Sequence, residues 1–145
     1  MIARLLKNLD FPANHLCLEI TERCRLLDLD LLKNVAVNLE VMGVLVALDD
    51  FGTGFSSIGI LKDIPNNITK IDRSFVLRIE ENEKDRELIR NIAGFIHGFD
   101  SKICVEGIET KGMINILRNY NIDSFQGYYY SKPLPLDELM NWKKK

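Results

Sequence analysis

Hydrophobic and polar positions along the chain alternate between two periods. Short apolar runs occur at LCLEIT (16–21), VLVALD (44–49), ITKID (68–72), KICVEG (102–107) and, more weakly, SFQGYY (124–129). Their length and β-branched content predict buried strands. Between them, apolar residues recur every three or four positions, the spacing of a helix face. Residues 28–42 carry Leu31, Leu32, Val35, Leu39 and Met42 in that spacing and stop at Gly43, a residue suited to the turn that ends a helix. Residues 82–97 put Leu88, Ile89, Ile92 and Ile96 on one face, and shorter helices are predicted over 56–63, 110–118 and 136–143. Strand and helix in alternation predict parallel strands joined by right-handed crossovers, an α/β fold. With no linker or low-complexity stretch between the elements, a single domain over 1–145 is expected.

A parallel strand covered on both faces should be apolar throughout, yet every strand here carries a polar residue. Because side chains alternate, Glu19 lies on the face of Cys17 and Thr21, Lys70 and Asp72 on that of Ile68, and Glu106 on that of Cys104. Asp49 and Asp50 end the second run, and Gln126 falls in the fifth. Taken singly, each has an ordinary explanation. Asp49 or Asp50 could cap the helix near Ser56, Glu22 and Glu109 sit where the chain leaves strands, and Lys70 could reach water from an edge. Taken together they suggest more, because parallel strands around an axis bring their C-terminal ends to one rim. Five carboxylates gathered in a cleft need a compensating cation. An all-oxygen donor set suits Mg²⁺ or Mn²⁺ rather than Zn²⁺. Two such ions about 3.5–4 Å apart can clamp the attacking and leaving oxygens at phosphorus. Asp49 and Asp50 could touch both ions, Lys70 could orient water or neutralise phosphate, and Glu106 could bind metal or take a proton. The chemistry implied is metal-assisted phosphoester hydrolysis.

Composition narrows the partners. The 145 residues are 46% hydrophobic and 28% charged with a net charge of −2, enough chain for a sizeable core and too balanced to suggest DNA, RNA or a membrane surface. The apolar runs fall far short of the roughly 20 residues that span a bilayer. MIARLLKNLD has no signal-peptide apolar core, so a cytoplasmic location is expected. Cys17, Cys24 and Cys104 have no CxxC spacing and are expected to be small core residues. His15 and His97, the only histidines, are expected on loop or helix surfaces rather than as ligands. FGTGFSS lacks the third glycine of a dinucleotide fingerprint, and Asp50-Phe51-Gly52 has none of the motifs that accompany that tripeptide in protein kinases.

Five stretches, LEITE (18–22), LDDFGTGFSSI (48–58), TKIDRSFV (69–76), VEGIET (105–110) and QGYYYSKPLP (126–135), resemble in order the motifs of the Glu-Ala-Leu (EAL) domain family of cyclic-di-GMP phosphodiesterases. The resemblance implies a modified (β/α)₈ barrel that opens cyclic-di-GMP to linear pGpG with Mg²⁺ or Mn²⁺. It implies metal ligands at Glu19 and Asp49, ligands of a second metal at Asp50 and Asp72, and a lysine beside the catalytic water at Lys70. Glu106 corresponds to the glutamate of metal binding or general-base work, and Glu109 and Gln126 to substrate-contacting positions. Glu22 corresponds to the residue that steadies the loop holding Gly52, Thr53 and Gly54, a loop the family uses to couple substrate, metal and dimerisation. A whole barrel takes about 250 residues. The resemblance therefore covers the C-terminal part of such a domain, with MIARLLKNL as the helix before LEITE and the strands bearing the Glu-Ala-Leu and asparagine ligands absent. An open sheet with two free edges is expected, completed by self-association or by the N-terminal half, and weak or inactive alone. The alternative is a module that binds cyclic-di-GMP or a protein without catalysis.

Overall fold

Five strands form one parallel sheet in the order of the sequence: β1 (Cys17–Thr21), β2 (Leu45–Phe51), β3 (Ile68–Ile71), β4 (Lys102–Val105) and β5 (Ser124–Phe125). The structure is a computed structural model that describes residues 1–21, 28–53 and 57–142. Helices α1 (Ile2–Asn8), α2 (Leu29–Val41), α3 (Ser57–Asp63), α4 (Glu83–His97), α5 (Lys111–Leu117) and α6 (Leu136–Met140) precede, connect and follow the strands. The alternation of strand and helix is as the sequence predicts. Among the described residues no helix is long and apolar enough to cross a membrane.

Local chemistry sets the helix starts. The side chains of Asp28, Asn82 and Thr110 accept hydrogen bonds from the backbone N–H of Asp30, Lys84 and Met113, satisfying amides that have no partner within the first turn. The buried faces differ in part from the pattern. In α2 the stripe is Leu32, Ala36 and Leu39, while Leu31 and Val35 are exposed. In α4 it is Ile89, Ala93 and Ile96, and Leu88 is exposed. An alanine at the centre of each stripe lets the helix approach the sheet closely, and that choice of face overrides the larger apolar residues beside it.

One core lies between the sheet and these helices. Ile20, Val46, Leu48, Ile71, Ile103 and Val105 supply its strand side, and Ile79, Ile89, Ile96 and Leu117 are fully buried within it. The opposite face of the sheet carries Cys17, Glu19, Asp49, Lys70, Cys104 and Glu106. It is only partly covered, which corrects the expectation for the cysteines: Cys17 is exposed and Cys104 half-buried. Both lie on the side that faces a barrel axis, and five strands do not enclose one. Cys24 lies outside the described residues. Burial pushes the Cys104 thiol up, so it stays neutral.

Strand ends also depart from the pattern. β5 stops at Phe125 instead of reaching Tyr129, because the chain turns at Gly127 and presses against the backbone of Ile108, where a Cβ would have no room. β4 ends at Val105, and Glu106 then donates its N–H to Ile71 O. β2 runs on to Phe51, past the expected end at Asp49, and its register with β3 shifts between Leu48 and Phe51.

Candidate functional site

The register shift falls on the double aspartate. Neighbouring residues of a regular strand point to opposite faces. Asp50 instead adopts φ +57°, a left-handed conformation that aspartate tolerates better than most residues. With the strand irregular there, Asp49, Asp50 and Glu106 each bring a carboxylate oxygen within 4.8 Å of the others. Thr53 closes the following turn, its N–H and hydroxyl both donating to Asp50 O at 3.2 and 3.0 Å. Gly52 has φ +94°, and a Cβ there would fall on the ring of Phe75. Glu22 and Gly54, named with these residues as loop-stabilising, lie outside the described residues.

Lys70 is at the centre of the rim. Its Nζ lies 2.8 Å from Glu19 Oε1, 2.9 Å from Asp49 Oδ1 and 2.7 Å from Glu106 Oε1, gathering side chains of β1 and β2 and the residue that follows β4. The lysine side chain is 8% exposed, against 48% for Glu19, 17% for Asp49 and 18% for Glu106. Burial alone would lower the ammonium pKa, but the close carboxylates of Glu106, Glu19 and Asp49 outweigh it and hold Lys70 well above the ordinary lysine range. It is therefore a fixed positive charge. Asp49 Oδ1 is fully buried and, although within ion-pair distance of Lys70, receives no well-directed hydrogen bond. A buried carboxylate oxygen left in this way has a lone pair to offer a cation. Three carboxylates within 4.8 Å, all oxygen donors, fit a hard divalent ion such as Mg²⁺ or Mn²⁺.

The remaining candidates line an adjoining cleft. Asp72, Glu106, Glu109 and Gln126 border a space of about 230 Å³ together with Arg73 and Tyr128. Asp72 is not one of the trio of possible ligands. Its side chain accepts from Ser74 N at 2.9 Å, capping a short turn over Arg73–Phe75. Burial would raise its pKa, but hydrogen bonds from Ser74 and Arg73 and the Arg73 charge hold it below the usual aspartate value. The Glu109 N–H points to Met113 Sδ at 3.5 Å. Gln126 is exposed just past β5, its N–H donating to Val105 O and its carbonyl accepting from Ile108. Arg73 and Tyr128, which the sequence pattern does not single out, join the cleft wall from within the motifs TKIDRSFV and QGYYY. A larger cleft of about 550 Å³ lies beside β5 and α6, but no carboxylate lines it. The carboxylates line the smaller one.

Residues 1–133 match the EAL domain family. The chain belongs to that family. In structure it resembles the EAL domain of DcpA from Mycobacterium smegmatis, with a TM-score of 0.90 and 34% identity over 97% of this chain and 63% of that one. It also resembles the phosphodiesterase of MucR from Pseudomonas aeruginosa, solved with cyclic-di-GMP, with a TM-score of 0.84 and 32% identity over 95% of this chain and 56% of that one. In sequence it is 33% identical over 138 residues to the cyclic-di-GMP phosphodiesterase NbdA of Pseudomonas aeruginosa, 95% of this chain and 18% of that protein. The EAL neighbours are barrel-like α/β domains, and five parallel strands alternating with helices are what this chain shares with them. The chain spans about a fifth of the curated relative and under two thirds of the solved domains.

Proposed function

We propose that the acidic rim is a cyclic-di-GMP phosphodiesterase site, which in a complete EAL domain opens the cyclic dinucleotide to linear pGpG. The observation that carries the reading is the convergence of Glu19, Asp49 and Glu106 on the buried Lys70 ammonium, with Asp50 beside them. Asp49, Asp50 and Glu106 are placed to hold Mg²⁺ or Mn²⁺, with Glu19 and the second carboxylate oxygen of Asp72 as the further ligands of this reading; the ion when bound would supply Lewis-acid charge at the phosphoryl oxygens. Lys70 orients the carboxylates and offers positive charge to the phosphate. Glu106 is placed to take the proton of a water whose oxygen bonds to phosphorus while a ring P–O ester bond breaks; the proton ends on the leaving oxygen. Glu109 and Gln126, on the wall of the adjoining cleft, contact the nucleotide.

By itself the chain is expected to be weak or inactive, because Glu19 is half exposed and the axis-facing side of the sheet is open. Incubated with cyclic-di-GMP and Mg²⁺ or Mn²⁺, it should give little or no pGpG by chromatography. Turnover near the 1–10³ s⁻¹ typical of enzymes would contradict this. Among the described residues no strand pairs with the outer edges of β1 and β5; these edges and the apolar cleft beside β5 favour association with a second copy or with the N-terminal half of an EAL domain. Light scattering should give a mass above the 16.7 kDa of one chain, and a strictly monomeric mass would contradict it. The same incomplete cover favours a second reading, a non-catalytic cyclic-di-GMP binder, which shares the site and differs only in the absence of product.

A further inference from the structure

The segment between β3 and α4 touches the active-site loop at a point that none of the candidate residues explains. Glu80 Oε2 accepts a hydrogen bond from Thr110 Oγ1 at 2.7 Å. The same hydroxyl accepts the N–H of Met113 at 3.0 Å, so Thr110 caps α5 and is itself oriented by Glu80. The carboxylate fills the space where any side chain at position 112 would stand, and Gly112 is what leaves it room. Glu80 is anchored in turn. Arg86 donates from Nε to Ile79 O at 2.7 Å and from its terminal nitrogen to Glu80 O, and Ile79 is fully buried.

This strut ends on a five-residue loop, Glu106 to Thr110, which is otherwise fastened at its start, where the Glu106 carboxylate lies on Lys70, and in its middle. Glu106 N–H is held by Ile71 O, Ile108 exchanges backbone bonds with Gln126 and Tyr129, and the side chain of Arg73 packs against Gly107. Between Glu106 and Thr110 stands Glu109, with only Met113 Sδ on its N–H. We infer that Glu80 is a positioning residue for the site: through Thr110 it fixes the far end of the loop and so the placement of Glu106 and Glu109. The inference rests on the metal-site reading above for its functional meaning, though not for its structural content.

The test uses the full chain in three variants, Glu80→Ala, Glu80→Gln and Thr110→Val. Without metal, amide hydrogen exchange at Ile108 to Met113 should quicken roughly tenfold in Glu80→Ala and Thr110→Val, with β1 and β2 amides unchanged. Glu80→Gln keeps an acceptor for the hydroxyl and should exchange nearly as the parent does. Mn²⁺ affinity, read from the free-ion electron-spin signal, should fall on the order of tenfold in the first and third variants and recover in the second, as for groups that orient ligands from behind. The double variant Glu80→Ala with Thr110→Val should lose no more than Thr110→Val alone, since that substitution already removes the shared bond together with the cap on Met113. Unchanged loop exchange in Glu80→Ala overturns the inference, as does a uniform rise across the sheet. A parent chain that takes up no Mn²⁺ overturns the metal reading instead, and the exchange result still decides the role of Glu80.

Discussion

Lys70 is the residue on which the site turns. A lysine mid-strand has an ordinary explanation as an edge residue that reaches water, and the structure replaces that explanation with a buried ammonium held by three carboxylates. Removing one member of such a group leaves the others uncompensated, at a cost of about 3 kcal/mol or more. Lys70→Met is therefore expected to lower the thermal midpoint in the presence of a chelator. Saturating Mn²⁺ should return much of the loss, since a ligand at a hundred times its Kd stabilises by about 2.7 kcal/mol. A variant as stable as the parent in chelator, or one deaf to Mn²⁺, would contradict this arrangement. The residue types of the rim were legible in the sequence because charge inside a buried strand requires a partner. That Lys70 would pair with three of the carboxylates at once, and that Asp72 would be engaged in capping a turn, depends on side-chain geometry that spacing alone does not carry.

At the scale of elements, alternating periods in the sequence located all five strands and the helices between them, since period and apolar content are local properties. Boundaries and faces were less legible. The irregularity in β2 is the clearest case: nothing in VLVALDDF announces that Asp50 turns left-handed, yet that turn puts both aspartates beside Glu106. At the end of the strand Gly52 lies so close to the Phe75 ring that a Cβ would collide with it. Gly52→Ala would set a methyl group against that ring at a φ unfavourable to L residues, with an expected loss of about 2 kcal/mol. In a domain of this size that lowers the melting midpoint by roughly 4–8 °C. A melt superimposable on the parent would show that the turn is not held as described. The buried stripes of α2 and α4 differ from the apolar spacing for a related reason. Apolar spacing reports which residues could be buried, and close packing around Ala36 and Ala93 selects which are.

For the molecule as a whole, five parallel strands carry the acidic rim of an EAL domain on a sheet whose axis side is only partly enclosed. The misplaced expectation that Cys17 would be core belongs to this scale: the strand pattern is that of an enclosed barrel interior, while the chain covers only part of that face. On the proposed function, the rim around Lys70 binds cyclic-di-GMP through a divalent cation, whether or not this chain can turn it over. Isothermal calorimetry with cyclic-di-GMP, with and without Mn²⁺, on the parent chain and on Asp50→Asn, tests it most directly. Heat of binding is expected in Mn²⁺, little without it, and a marked loss in Asp50→Asn. No heat in any condition, or binding indifferent both to Mn²⁺ and to Asp50→Asn, would contradict it.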